Sequence, residues 1–155
     1  MRIEDLSFSG ASVSGKAAFA LVEAAVKAAV DMGAEITVAV VDPAGNLKAF
    51  ARMDGAQLLT VEIAIDKAWT AASSGMPTHQ WTSLISEHPN LAQFAHRPRL
   101  VAVAGGYPLL DEERLLGGIG ISGGRHLQDR QIAEATITSL KLTIPERFRL
   151  GENNF

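Results

Sequence analysis

The sequence predicts an α+β fold: a central antiparallel sheet of about five strands with helices packed on it. Three observations lead there. Apolar runs at 36–41 and 47–53 flank a five-residue turn, and a second pair at 109–110 and 115–121 flanks an acidic one. Hairpins of this kind impose antiparallel pairing. The order along the chain is helix, hairpin, helices, strand, hairpin, helix, which is not the strict alternation of a doubly wound parallel sheet.

The first helix is expected over 15–32, with Ser12 and Ser14 before it and Gly33 just past its end. Serine at the start and glycine after the last turn are helix punctuation. Its polar positions are Lys16, Glu23, Lys27 and Asp31, and the last three form one narrow i, i+4, i+8 stripe. Nearly everything else on it is Ala, Val, Leu or Phe. A helix apolar over most of its circumference is buried on more than one side, and contact with a second subunit is one way to achieve that in a small domain. The β-branched run 36–41 reads as a buried strand. Asp42-Pro43-Ala44-Gly45-Asn46 is turn chemistry, after which 47–53 returns as a strand.

Helical composition resumes over 58–74 and again over 78–87, the latter stopped by His88-Pro89. Residues 100–104 read as a strand running into Gly105-Gly106-Tyr107-Pro108. Leu109-Leu110, the acidic turn 111–113 and 115–121 make the second hairpin, which Gly123-Gly124 breaks. From 127 to 141, Ile132, Ala133, Thr136, Ile137 and Leu140 keep a helical period, and Pro145 ends that element. The expected organisation is a single domain over 1–141 and a C-terminal tail over 142–155.

Composition narrows the function. At 155 residues the chain is one domain's worth, and it contains no cysteine. That excludes a disulfide scaffold, a Cys-ligated zinc or iron–sulfur site and a cysteine nucleophile. A net charge of −3 and a pI near 5.8 do not suit a nucleic-acid partner. The first fourteen residues lack a signal peptide's apolar core, and 17–30 is broken by Glu23 and Lys27. The expectation is a cytoplasmic protein with no membrane partner. Apolar residues make up 47% of the chain but aromatics only 6%, so the apolar content is aliphatic and small.

Several motifs carry candidate chemistry. Gly118-Ile119-Gly120-Ile121-Ser122-Gly123 matches G-x-G-x-x-G, but in a hairpin strand rather than a strand-to-helix turn of a βαβ unit. Alternating glycine there means close approach to one sheet face, by a helix backbone or a flat ligand. Ser122, Gly123 and Gly124 lead into a helix: either free amides there bind an anion, with Arg125 as a charged grip, or this is a plain strand-to-helix connection capped by Ser122 or Gly124. Arg52-Met53-Asp54-Gly55 is either an Arg–Asp pair ordering a corner or a guanidinium offered to a ligand carboxylate. Glu62 and Asp66 are like charges at i, i+4, to be compensated by Lys67, Arg52, a second subunit or a hard cation. Lys67 on an apolar helix also raises a Schiff-base lysine, without a phosphate cup to support it.

Of the four histidines, His88 and His96 read as solvated loop residues and His79 as a helix-start residue. His126 has Asp129 three residues on, a carboxylate placed to orient its ring and raise its basicity. That makes His126 a candidate general base or axial ligand, set against an exposed first-turn histidine. Tyr107, the only tyrosine, follows Gly105-Gly106 and is expected to line the same cleft. No G-x-S-x-G elbow occurs, which argues against a Ser–His–Asp hydrolase.

Taken together, Val40-Val41-Asp42-Pro43-Ala44-Gly45-Asn46-Leu47, Ala51-Arg52-Met53-Asp54-Gly55-Ala56 and Asp66-Lys67-Ala68-Trp69-Thr70-Ala71 resemble the GlcG/HbpS family. Gly105-Gly106-Tyr107-Pro108, Gly117-Gly118-Ile119-Gly120-Ile121-Ser122-Gly123-Gly124 and Gln128-Asp129 continue the match, which covers about residues 12–141. The resemblance implies a profilin-like fold and assembly into dimers, tetramers or octamers. It also implies haem binding, known for members of the family, one branch of which is the C-terminal domain of PduO-type proteins. The pair Arg125-His126 departs from many relatives. The expected function is therefore an oligomeric haem- or tetrapyrrole-binding protein. His126 is its candidate iron ligand, and Arg52 and Arg125 meet the propionates. The alternative is a cofactor-independent tautomerase, isomerase or lyase acting on an unsaturated or aromatic carboxylic acid. In it His126 moves the proton, Arg125 or Arg52 holds the carboxylate, and Asp129 orients the histidine. With so few rings to sandwich a porphyrin, a haem site is expected toward an interface.

Overall fold

The computed structural model describes residues 1–125 and 127–149. Helix α1 (Gly15–Asp31) starts where Ser14 Oγ accepts the amide of Ala17 at 3.1 Å, an N-cap bond. Strands β1 (Thr37–Val41) and β2 (Leu47–Arg52) form the first hairpin. Its turn is closed by Asp42, whose Oδ1 accepts the amides of Ala44 and Asn46, both at 2.9 Å. Helices α2 (Thr60–Ser74) and α3 (Thr78–Glu87) follow, then the second hairpin of β3 (Gly106–Asp111) and β4 (Arg114–Ser122), then α4 (Gln128–Ser139). Three short 3-10 segments, Ile3–Asp5, Pro89–His96 and Glu146–Phe148, complete the described elements.

The sheet has four antiparallel strands in the order β2-β1-β4-β3. The α+β class is as expected, but the strand expected at 100–104 is not there. Its backbone polar groups find partners outside any ladder. Thr70 Oγ1 accepts the amide of Val101 at 3.1 Å and donates to the carbonyl of Arg99 at 2.9 Å. Thr82 and Thr78 hydroxyls donate to the carbonyls of Ala102 and Val103. Three threonines of α2 and α3 thus satisfy groups that would otherwise need a neighbouring strand.

Alternation along the strands divides the interior in two. Leu21 and Ala25 of α1 and Ile132 and Ile137 of α4 pack on the face that carries Val38, Val40, Tyr107, Leu109, Ile119 and Ile121. The opposite face carries Ala39 and Val41 and receives Ala64, Ala68 and Ala72 of α2. Helix α2 lies unusually close because β4 has no side chains there. A Cβ at Gly118 would stand 2.3 Å from the carbonyl oxygen of Ala68, and one at Gly120 would stand 2.0 Å from that of Ala64. Of the two occupants expected beside the alternating glycines, the helix backbone is the one present.

Helix α1 is covered by the sheet and α4, which accounts for much of its apolar surface. Its outward stripe mixes Lys16, Glu23 and Lys27 with Phe19 and Val30, which are 63% and 62% exposed. After α4 the chain returns to the sheet. The Thr143 amide donates to the Leu110 carbonyl at 2.9 Å, and Phe148 is buried. Among the described residues, no helix is long and apolar enough to cross a membrane.

Candidate functional site

A cleft of about 830 Å³ opens between the first half of α2, the threonine-bound 99–103 segment, the end of β4 and the turn into α4. This lies within the roughly 300–1,000 Å³ usual for small-molecule sites. One side is apolar, with Leu59, Ile63, Val101 and Val103. Leu59 and Val103 stand 69% and 60% exposed, so this wall faces water in the single chain. Arg125 lies at the turn, and Glu35 is held across the cleft by the Gly55 amide at 3.1 Å.

The floor is an ion pair. Lys67 projects from the Ala-lined face of α2, among Ala64, Ala68 and Ala71, and its side chain is 2% exposed. Its Nζ donates to Asp129 Oδ2 at 2.9 Å and to the carbonyl of Ile121 at 2.8 Å. The second carboxylate oxygen of Asp129 accepts the Gly124 amide at 2.7 Å. Burial pulls the lysine pKa below its ordinary value, while the charge and hydrogen bond of Asp129 oppose the fall. Gly105 makes room for the pair. With φ +121°, its missing Cβ would come within 2.9 Å of Nζ and 2.6 Å of the Ile121 oxygen. An ammonium has three hydrogens, and two of them have these acceptors.

Ser122, Gly123, Gly124, Arg125 and Asp129 all line this cleft. Of the two readings of this turn, an anion site would need its amides free. The Gly124 and Arg125 amides donate to Asp129 and to Gln128 Oε1 (2.8 Å), so the turn satisfies itself, as in a plain connection. His126 lies outside the described residues. The Asp129 carboxylate expected to orient it is engaged by Lys67 and Gly124. Arg52 is not in the cleft lining: its guanidinium donates to the Ala56 carbonyl at 3.1 Å, and no Arg52–Asp54 pair forms among the described residues. Asp66 is compensated by Arg99 at 3.1 Å rather than by Lys67 or Arg52.

Tyr107 was expected in the same cleft and lies on the other face of the sheet. Its hydroxyl donates to Glu134 at 2.5 Å and accepts from Arg130 at 3.3 Å. Burial, then the Glu134 acceptor, raises its pKa. Beside it, 5.7 Å between ring centroids, sits His79, buried with no hydrogen bond at either ring nitrogen.

His79 makes stability pH-dependent. Burial, with Arg130 adding to it and the nearby Phe148 backbone and Glu134 opposing, lowers its pKa from 6.5 to about 4. The unfolded chain therefore takes up the proton first. Stability is full above about 6.5 and is lost as pH falls toward about 4, by roughly 3 kcal/mol in all. Denaturant unfolding of His79→Phe across that range should give a flatter profile than the parent. Parallel profiles would remove His79 as the cause.

The pair Lys67–Asp129 is the feature that the sequence reading missed. One signal was present: a lysine in the middle of an alanine face has to find an acid.

Comparison with known proteins adds to this geometry. A family model described as "Haem degrading protein HbpS-like" matches residues 13–138. The corrinoid adenosyltransferase PduO of Citrobacter freundii is 37% identical over 126 residues, which are 79% of this chain and 37% of that protein. The chain thus spans little more than a third of that relative's length. Among solved structures, a double mutant of Streptomyces reticuli HbpS is 33% identical with a TM-score of 0.79, covering 90% of this chain and 94% of that one. The PduOC:heme complex is 30% identical with a TM-score of 0.77, covering 85% and 97%.

Proposed function

The chain belongs to the HbpS-like family, and from that premise we propose that it binds haem or a related tetrapyrrole in the cleft over Lys67 and Asp129. The observation that carries the reading is the likeness to the PduOC:heme complex over nearly all of that structure. The cleft's residues fit the group on two counts. Leu59, Ile63, Val101 and Val103 offer an apolar wall to a macrocycle, and Arg125 offers a cation to a propionate. Lys67 is not the iron ligand, because an ammonium donating to two oxygens has no free lone pair. His126 is proposed for that role. When bound, haem supplies a redox-active iron, and the axial ligand and the polarity around it set its behaviour.

Haemin titrated into the purified protein is expected to give a saturable, shifted Soret band. His126→Ala should weaken it, and Leu59→Glu with Val103→Glu should weaken binding at least about tenfold. A wild-type protein with no saturable shift would end the reading. We infer in addition that the protein is a homo-oligomer. Exposed Phe19 and Val30 on α1, with Leu47 and Phe50 on the edge strand β2, support this, and the native mass of the purified protein checks it.

A second reading rests on the charged floor, since buried titratable pairs in clefts recur where protons are moved. A cofactor-independent tautomerase, isomerase or lyase for an unsaturated or aromatic carboxylic acid would use the same cleft. Arg125 would hold the carboxylate and His126 would transfer the proton. A bell-shaped rate profile that His126→Ala abolishes would support it, and full activity in that variant would remove the assigned base.

A further inference from the structure

We propose that a second site, formed by α2, α3 and the 89–100 segment, binds a single-ring aromatic carboxylate. The chain has only two tryptophans, and both Trp69 and Trp81 line one small pocket of about 240 Å³. Phe94, Pro98 and Leu100 complete its apolar interior. The rings of Trp81 and Phe94 stand 5.6 Å apart at 34°. In a chain with 6% aromatic residues, three rings at one pocket are a concentration of the side chains best suited to stack on another ring.

The hydroxyls of the wall and the Trp81 indole are already satisfied from within. Ser74 Oγ accepts the Trp81 indole N–H at 3.2 Å and donates to the Thr70 carbonyl at 2.7 Å. Thr70 Oγ1 is held between Arg99 and Val101, and Ser73 Oγ donates to the Trp69 carbonyl at 2.7 Å. A ligand therefore meets an interior that is mostly apolar, with the wall hydroxyls already engaged. The cations at the mouth differ. Arg99 is committed, with its Nε on Asp66 and its guanidinium 4.8 Å above the Trp69 ring. Arg97, unlike Arg99, lines the pocket, and its side chain makes no ion pair or hydrogen bond among the described residues. A guanidinium with no counter-ion among the described residues, beside an aromatic interior, complements a planar ring bearing a carboxylate.

Size restricts the class further. The volume falls just below the roughly 300–1,000 Å³ of sites for larger ligands, which suits one ring and excludes a tetrapyrrole. The site is separate from the cleft. Leu100 lines this pocket while Val101 and Val103 line the other, so one short segment is the partition between them. The outer wall, Pro89–His96, is a 3-10 segment with no buried residue, and such segments rarely exceed three or four residues.

Because both tryptophans line the pocket, intrinsic fluorescence reports on it directly. Benzoate, phenylacetate and cinnamate would be titrated into the full-length protein, with benzamide as the neutral analogue of benzoate. At least one acid is expected to give a saturable fluorescence change. For benzoate, binding should be about tenfold tighter than for benzamide, a difference that Arg97→Gln removes. Phe94→Ala, which removes one of the three rings of this pocket, should weaken all of them. Three outcomes overturn the proposal: no saturable change with any of the three acids, unaltered acid binding in Arg97→Gln, or a signal that tracks protein concentration alone. The last would mean that a second copy occupies the pocket. None of these results bears on haemin binding in the cleft, which Arg125→Gln and the Soret titration read separately.

Discussion

Replacing Lys67 with methionine is expected to destabilise the protein by about 3–5 kcal/mol, the usual cost of stranding one partner of a buried ion pair. Asp129, its side chain only 12% exposed, would be left with the Gly124 amide as its remaining partner. Asp129→Leu alone should cost a similar amount, since it leaves the Lys67 ammonium buried with a single carbonyl acceptor. The combination Lys67→Met with Asp129→Leu should recover most of the loss, because two apolar groups replace two desolvated charges at once. Denaturant unfolding of the four proteins closes the cycle. A single variant costing less than about 1 kcal/mol would show that the pair is solvated and that its burial was misread. The double variant has a further use, because it folds with an apolar cleft floor. If the pair reads a polar edge of the ligand, haemin affinity falls in a protein of near-parental stability.

That pair also marks the boundary of what was legible in the sequence. Elements with local punctuation were readable to within a residue or two. Ser14 caps α1, Gly75 follows α2, and Pro77 and His88-Pro89 bracket α3. The alternating glycines of β4 declared a close approach, which α2 makes. What remained hidden depends on partners far along the chain. Residues 100–104 have strand composition, but their hydrogen bonds go to hydroxyls of Thr70, Thr78 and Thr82, which no local pattern records. Lys67 and Asp129 are 62 positions apart, and the Asp129 carboxylate was assigned to the nearer His126. Tyr107 is a different case, because its position was deducible. Gly106 sits against α2, so strand alternation sends its neighbour to the opposite face, away from the cleft.

Gly120→Ala is the other substitution with a large expected effect, about 3 kcal/mol, at the upper end of the range for overpacking. The added methyl would stand 2.0 Å from the Ala64 carbonyl oxygen and 2.7 Å from the Ala68 amide nitrogen. Neither is a side chain that can turn aside. Relief requires α2 to move off the sheet, and α2 carries Lys67, Ile63 and Thr60 into the cleft. The clash is with backbone, so Ala64→Gly should not rescue it, whereas it would rescue a contact between side chains. Displacement of α2 should also lengthen the Lys67–Asp129 contact, which couples the two sites energetically. Adding Gly120→Ala to the Lys67→Met, Asp129→Leu protein should therefore cost less than adding it to the parent. Thermal or denaturant unfolding measures both costs. Equal costs in the two backgrounds would mean that α2 yields locally at Ala64 and leaves the ion pair in place. In that case haemin binding in Gly120→Ala should match the parent's.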